Sequence, residues 1–158
     1  MMNPQNIDFH EIARRGDTEV LDIFLKAGLN PDRPDERGYT LLMIAAYNDR
    51  REMVDLLLRN GASVDSIDRG GNTPLMGVCF KGYLEVGRRL LEAGANVNAR
   101  NGAGATPLMM AVMFGSEPMA SLLLGAGADP AVVDSQGRSA RDLVSMSGNA
   151  RMLELFET

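Results

Sequence analysis

Residues 73–105 read TPLMGVCFKGYLEVGRRLLEAGANVNARNGAGA, and residues 106–138 repeat the pattern as TPLMMAVMFGSEPMASLLLGAGADPAVVDSQGR. Both stretches begin with Thr-Pro-Leu-Met, carry a glycine in the middle and reach a Gly-Ala pair after a leucine-rich run. A fixed period of this length is typical of a solenoid, in which each unit buries its apolar face only against its neighbours. These two stretches therefore decide the class of fold.

The same 33-residue period extends over most of the 158-residue chain. Twelve of the 17 glycines fall into three series with this spacing: Gly28, Gly61, Gly94 and Gly127; Gly38, Gly71, Gly104 and Gly137; and Gly16, Gly82, Gly115 and Gly148. The chain is therefore predicted to form one domain of five units. They are an N-terminal cap at 7–39, repeats at 40–72, 73–105 and 106–138, and a C-terminal cap at 139–158.

Each unit is predicted to contain two helices. Thr73 and Pro74 begin the first, because threonine caps the unpaired N–H groups of a helix start and proline suits the first helical position. Gly82 ends that helix, since glycine readily adopts a left-handed conformation. A second helix is expected from about Tyr83 to Glu92, followed by a glycine-containing turn. The predicted fold is all-α, with helix-turn-helix units joined by β-turn or hairpin-like loops.

These residues resemble the ankyrin repeat. The family pattern of Thr-Pro-Leu-His-x-Ala, then Gly, a leucine-rich helix and Gly-Ala-Asp/Asn is similar to Thr106-Pro107-Leu108-Met109-Met110-Ala111, Gly115, Leu122-Leu123-Leu124 and Gly127-Ala128-Asp129. The resemblance covers essentially the whole chain, and it implies an ankyrin-repeat solenoid.

Three successive units depart from the family pattern, because Met43, Met76 and Met109 stand where the family has histidine. Stacked at one repeat position, these side chains are expected to form a ladder in the core, since methionine fills irregular gaps. The alternative is a soft-metal or haem contact, because thioether sulfur suits ions such as Cu(I). The three helix starts are also expected to lack the hydrogen bonds that the family histidine makes.

The composition restricts the classes of partner and the compartment. The net charge is −5 and the isoelectric point is about 4.9. This acidity argues against binding to nucleic acid or to anionic membranes, both of which need a positive surface. The N-terminus has no basic stretch followed by an apolar run, and no stretch is long and apolar enough to span a membrane. With a single cysteine and no disulfide to form, a cytoplasmic protein is expected.

Few residues could support catalysis, because His10 is the only histidine and Cys79 the only cysteine. His10 occupies the repeat position of the family histidine, so a structural role is favoured over a catalytic one. Cys79 lies where a first helix carries a small packed residue, so it is predicted to be buried rather than reactive. The chain is therefore predicted not to be an enzyme and to hold no cofactor or metal.

The aromatic residues indicate a binding surface. Phe9, Phe24, Tyr83 and Phe156 fall at positions that the leucine pattern marks as buried. Tyr47, Phe80 and Met113 instead share one position late in the first helix, which the resemblance places on the concave groove. The groove and loop tips together are predicted to bind a partner through Glu36, Arg37, Tyr39, Tyr47, Asn48, Arg69, Asn72, Phe80, Lys81, Met113, Phe114 and Arg138. The alternative is that the aromatic members of this set pack between neighbouring repeats.

The resemblance implies a monomeric module that binds another protein, as an adaptor, an inhibitor or an assembly factor. Small single-domain ankyrin proteins of bacterial type are similar to this chain. Some of them assist catalase and other oxidative-stress enzymes, a role that could include haem or metal delivery. Others neutralise toxins. The sequence leaves these alternatives open.

Overall fold

The computed structural model describes residues 6–157, and this part of the chain contains ten short helices. They are α1 (Phe9–Arg15), α2 (Thr18–Lys26), α3 (Leu41–Tyr47), α4 (Arg51–Arg59), α5 (Pro74–Lys81), α6 (Leu84–Glu92), α7 (Pro107–Met113), α8 (Glu117–Gly125), α9 (Ala140–Ser147) and α10 (Ala150–Glu157). The only extended pairing in the described residues is an isolated bridge between Val133 and Ser139. The fold is all-α, as the sequence predicts. Thr158, the last residue of the predicted C-terminal cap, lies outside the described residues.

The helices form two rows. The first helix of each pair packs against the first helix of the next, so that α1, α3, α5, α7 and α9 make an inner row. The second helices, α2, α4, α6, α8 and α10, make an outer row, and each contacts its partner in the inner row. Each pair buries its apolar residues against its neighbours, as a solenoid requires.

The inner helices begin with side-chain caps. The hydroxyls of Thr40, Thr73 and Thr106 each accept a hydrogen bond from the backbone N–H three residues on, over 3.2–3.3 Å. These N–H groups belong to the three methionines that replace the family histidine. The helix starts therefore keep a threonine cap although no histidine is present. His10, the one histidine, has its ring Nε2 3.1 Å from the carbonyl oxygen of Arg33 in the loop that follows α2.

Left-handed residues follow the inner helices, as the glycine series predicts. Gly82 has φ of 75° and its N–H donates to the carbonyl of Val78, which closes α5. The series has a gap at position 49, where Asp49 takes the same conformation with φ of 54°. A left-handed conformation costs a residue other than glycine about 1–2 kcal/mol. The backbone geometry of the repeat is thus kept even where the glycine is missing.

The loops between pairs share one hydrogen-bond pattern. The N–H of Asp68 donates to the carbonyl of Asn72 at 3.0 Å, and the Asp68 carboxylate accepts from the N–H groups of Gly70 and Asn72. The equivalent residues Asp35, Asn101 and Asp134 do the same in their loops. Adjacent loops are also joined, since the N–H of Gly102 donates to the carbonyl of Gly70 at 2.9 Å. The loops therefore form a stacked row beside the inner helices.

The methionine ladder lies in the core. The exposed fractions of Met43, Met76 and Met109 are 0%, 0% and 1%. These values agree with core packing, in which a flexible thioether fills space between repeats.

The prediction for the first group of aromatics is only partly right. Phe156 is buried, but Phe9, Phe24 and Tyr83 are only partly buried. Phe9 and Phe24 pack edge to face, with ring centroids 5.0 Å apart, on the first helix pair. They remain open to solvent on one side because no described helix pair precedes α1 and α2.

None of the helices in residues 6–157 is long and apolar enough to span a bilayer.

Candidate partner-binding groove

A cavity of about 370 Å³ opens on the inner helices α3, α5 and α7. Its lining is mainly aromatic and methionine side chains, with polar groups from one loop and from the end of α5. The lining residues are Tyr39, Tyr47, Asp68, Asn72, Met76, Gly77, Phe80, Lys81, Met110, Met113 and Phe114. We call this cavity the groove.

The apolar wall of the groove is open to solvent. Phe80, Met113 and Phe114 are 52%, 50% and 50% exposed. The rings of Phe80 and Phe114 meet edge to face with centroids 4.4 Å apart, so the two neighbouring repeats present one aromatic surface. Large apolar side chains grouped at the surface are typical of binding sites, whereas isolated ones are common and carry no meaning.

Tyr47 lies deeper, in a space that a glycine leaves. A Cβ atom built on Gly77 would fall 1.7 Å from the Cε1 atom of Tyr47, so the ring occupies the volume that any other residue at position 77 would need. The equivalent residues of the neighbouring repeats, Ile44 and Met110, do carry side chains. Tyr39 contacts the ring edge to face, with centroids 6.3 Å apart. Gly77 therefore leaves the room that the Tyr47 ring occupies at the floor of the groove.

The Tyr47 hydroxyl remains protonated at neutral pH. Burial, chiefly, raises the pKa of Tyr47 well above its ordinary value, and the nearby Asp68 carboxylate and Tyr39 add to the rise. A neutral phenol is able to donate a hydrogen bond to an occupant of the groove.

The groove carries opposite charges at the two ends of α5. Asp68 lies in the loop before this helix and Lys81 is its last residue. The helix between them has eight residues and is therefore about 12 Å long. Neither side chain forms an ion pair with another of the described residues 6–157. The groove thus combines an apolar wall with an acidic end and a basic end.

The family model described as ankyrin repeats (3 copies) matches residues 9–101 and 66–134 of this chain. The chain belongs to the ankyrin repeat family. No curated protein sequence matches it. Ankyrin repeats are generally modules for protein–protein interaction and generally lack enzymatic activity.

In this ankyrin repeat protein, the structure brings seven of the predicted partner-binding residues together in the groove: Tyr39, Tyr47, Asn72, Phe80, Lys81, Met113 and Phe114. The other five, Glu36, Arg37, Asn48, Arg69 and Arg138, do not line it. Glu36 and Arg37 instead border a separate recess near His10. The sequence-based set therefore divides into a compact cluster and a scattered remainder.

Three of the scattered residues have contacts within the protein. The guanidinium of Arg69 donates to the carbonyl of Glu36 in the preceding loop. Arg138 forms an ion pair with Asp134 at 3.0 Å, and the amide of Asn48 donates to the carbonyl of Ile44 at 2.7 Å. The Arg69 contact joins two adjacent loops, the Arg138 ion pair lies within one loop, and the Asn48 contact lies at the end of α3.

Four lining residues of the groove were missed in the sequence: Asp68, Met76, Gly77 and Met110. Signals for two of them were present. Gly77 is one of the five glycines outside the periodic series, and Asp68 belongs to a 33-residue series with Asp35, Asn101 and Asp134. Met76 was recognised in the sequence only as a member of the methionine ladder with Met43 and Met109, and Met110 belongs to no periodic series.

Two further features of residues 6–157 concern metal binding and the single cysteine. Within residues 6–157, no group of three His, Cys, Asp or Glu side chains is arranged to hold a metal ion. Cys79 is fully buried, and burial raises the pKa of its thiol to about 12. A thiol in this setting is a packed apolar residue rather than a nucleophile.

Proposed function

We propose that this ankyrin repeat protein binds another protein through the groove. The observation that carries the proposal is the half-exposed, edge-to-face pair of Phe80 and Phe114 at its mouth. Aromatic residues and methionine are enriched at the cores of protein interfaces, and aromatic anchors often dominate binding energy. A partner that covers both rings removes a large apolar area from water.

The proposal extends to the role of the protein. Binding through one groove suits an adaptor, an inhibitor or an assembly factor. Haem or metal delivery to an oxidative-stress enzyme has less support, because Met43, Met76 and Met109 are buried and no group of three His, Cys, Asp or Glu side chains in residues 6–157 is arranged to hold a metal ion. Assistance to an enzyme such as catalase and neutralisation of a toxin differ in the partner that is bound.

The test is a quantitative pull-down from a lysate of cells that produce the protein. The double variant Phe80→Ala/Phe114→Ala removes the aromatic wall, and Ile23→Ala/Met146→Ala is a matched control. Ile23 and Met146 are also strongly exposed apolar residues, but they lie at the two ends of the stack. We expect the groove variant to recover at least about tenfold less partner, because loss of one hot-spot residue already costs a binding site that much. The control should recover the normal amount.

Two results would contradict the proposal. Equal recovery by the groove variant would show that the partner binds elsewhere. A large loss of thermal stability in that variant would show that the two rings belong to the core. A melting curve of each variant, recorded by circular dichroism, separates the second result from a true loss of binding.

We further propose that the five units form one cytoplasmic domain that is a monomer and does not bind nucleic acid. The acidic composition supports the last point. Light scattering after gel filtration measures the oligomeric state, and one urea transition shared by all spectroscopic probes is expected for a single cooperative domain. Two separated transitions would contradict the single domain.

A further inference from the structure

Two equivalent loops of the solenoid each carry a carboxylate at the same position, but the two carboxylates have different hydrogen-bond partners. Asp68 and Asp134 occupy the same loop position two repeats apart. In both loops, the Oδ1 atom accepts hydrogen bonds at 2.9 Å from the N–H groups two and four residues later. Their Oδ2 atoms have different partners, and the difference depends on the residue four positions later.

At Asp134 that residue is Arg138. The Oδ2 atom of Asp134 accepts from Nε of Arg138 at 3.1 Å and from Nη2 at 3.0 Å, a fork that neutralises the carboxylate. At Asp68 the equivalent residue is Asn72, whose amide Nδ2 lies 3.3 Å from Oδ2. The Oδ1 atom of Asn72 in turn accepts from Asn101 at 2.9 Å. The Oδ2 atom of Asp68 thus receives one long neutral hydrogen bond in place of a guanidinium.

The unneutralised carboxylate lies where a cation would also meet aromatic rings. Asp68 lines the groove with Tyr39 and Tyr47, whose rings are edge to face with centroids 6.3 Å apart. A cation is attracted to the face of an aromatic ring, and a guanidinium also stacks on it and pairs with a carboxylate through two N–H groups. Lys81, the cation of the groove, is the last residue of α5 and lies at the opposite end of that helix.

We propose that the segment bound in the groove presents an arginine to Asp68 and an apolar side chain to Phe80 and Phe114. The guanidinium would donate to Oδ2 of Asp68 beside the two tyrosine rings, in the manner of Arg138 on Asp134. This inference rests on the proposed function and specifies the chemistry of its partner. The net charge of −5 supports it, because an acidic protein attracts a basic partner over long distances.

Three small probes that share a phenylalkyl group test the preference for a cation. They are 3-phenylpropylguanidinium, 4-phenylbutyrate and 4-phenylbutanol, titrated into the full chain with 13C-labelled methionine methyl groups. Met110 and Met113 line the groove and report its occupancy by NMR, whereas Met146 lies outside it. We expect the guanidinium probe to bind at least about fivefold more tightly than the other two, which is the upper range for one partly exposed ion pair.

The variant Asp68→Asn removes the charge and preserves the loop. Asn101 shows why, since its Oδ1 atom accepts the same two backbone hydrogen bonds at 3.0 Å in the next loop. We expect this variant to fold normally and to lose the preference for the guanidinium probe. Asp134→Asn makes the same change of net charge at the equivalent loop position and should keep the preference, because Asp134 does not line the groove.

Any of four results would overturn this inference. They are equal or tighter binding of the butyrate or butanol probe, an unchanged preference in Asp68→Asn, no shift of the groove methyl signals with the guanidinium, and self-association of the chain through the same methyl groups. The proposed function has a separate outcome. If Phe80→Ala/Phe114→Ala loses its partner while the probes show no preference for a cation, protein binding stands and only the arginine is wrong.

Discussion

The first and last turns of the same inner helices have opposite environments. Met109 near the start of α7 is fully buried, whereas Met113, one turn later on the same helix, is half exposed. The same contrast separates Met76 from Phe80 in α5. Residues four apart lie on nearly the same side of a helix, so helical periodicity alone does not distinguish them. The exposed fractions do distinguish them, and they divide α5 and α7 each into a buried first turn, the core end, and an exposed last turn, the groove end.

The largest expected effect is on the rate of thiol labelling at Cys79, which is buried although its neighbour Phe80 is exposed. Burial raises the pKa of the Cys79 thiol from 9.0 to about 12, so very little thiolate exists at pH 8. We expect labelling by a disulfide reagent at pH 8 to be at least about a thousandfold slower in the native protein than in urea, because only the thiolate reacts. Rapid labelling of the native protein would place Cys79 in the groove.

The same shift has a consequence for stability at high pH. Above about pH 9 the unfolded chain loses the Cys79 proton while the folded protein keeps it, so the unfolded state gains stability. The contribution of Cys79 to folding is therefore complete below pH 9 and is lost as the pH rises toward 12. We expect the variant Cys79→Ala to show less loss of stability than the wild type between these pH values in urea titrations.

A matched pair of substitutions in α7 tests the two turns directly. Met109→Ala should lower the free energy of unfolding by about 2–4 kcal/mol, because it leaves a cavity in the core. Met113→Ala should change it by less than about 1 kcal/mol, because this side chain already faces solvent. Urea denaturation followed by circular dichroism measures both. Similar losses in the two variants would remove the distinction between core end and groove end.

A substitution at Gly77 tests whether the Tyr47 ring packs in the space that this glycine leaves. Gly77→Ala places a methyl group where Tyr47 packs, and we expect it to destabilise the protein by about 1–3 kcal/mol. In a Tyr47→Ala background the same change should stabilise it by up to about 1 kcal/mol, because alanine suits a helix better than glycine. We therefore expect the effect of Gly77→Ala on the free energy of unfolding to change sign between the two backgrounds. Destabilisation in both backgrounds would mean that Tyr47 does not pack in the space beside Gly77.

The smallest effect is expected for the exposed ring pair. A double-mutant cycle of Phe80→Ala and Phe114→Ala should give a coupling energy of about 0.5 kcal/mol, the lower range for an edge-to-face pair. Each single variant should lower stability by less than about 1 kcal/mol. A coupling energy of several kcal/mol in the isolated protein would mean that the pair stabilises the fold and is not a free surface for a partner.

Most of the fold could be predicted from the sequence, because its signals are local and repeat every 33 residues. Thr73 and Pro74 begin α5, and Gly82 ends it, as expected. Position 49 lacks the glycine yet keeps the left-handed conformation, which aspartate adopts more readily than most residues other than glycine. The exposure of Phe9 and Phe24 could not be read from the leucine pattern, because a repeat position predicts burial only where a neighbour covers it.

The groove was only partly predictable. The late position shared by Tyr47, Phe80 and Met113 follows from the period and from the family resemblance, and all three line one cavity. The role of Gly77 depends on what lies across from it in the neighbouring repeat, whereas the residue four positions after Asp68 can be read from the sequence. Gly77 matters because of a ring from the preceding repeat, and Asp68 because no cation stands four residues later.

The sequence by itself determined the 33-residue period, the threonines that begin the inner helices, most of the glycines that follow these helices and the series of loop carboxylates and amides. These features arise from contacts within a few residues, and each recurs often enough to be recognised. Only the tertiary structure decided which turns are core and which are groove, that the Tyr47 ring fills the space beside Gly77, and which loop carboxylate lines the groove. Those properties depend on side chains that approach from neighbouring repeats, whose distances and orientations exist only after the helices stack.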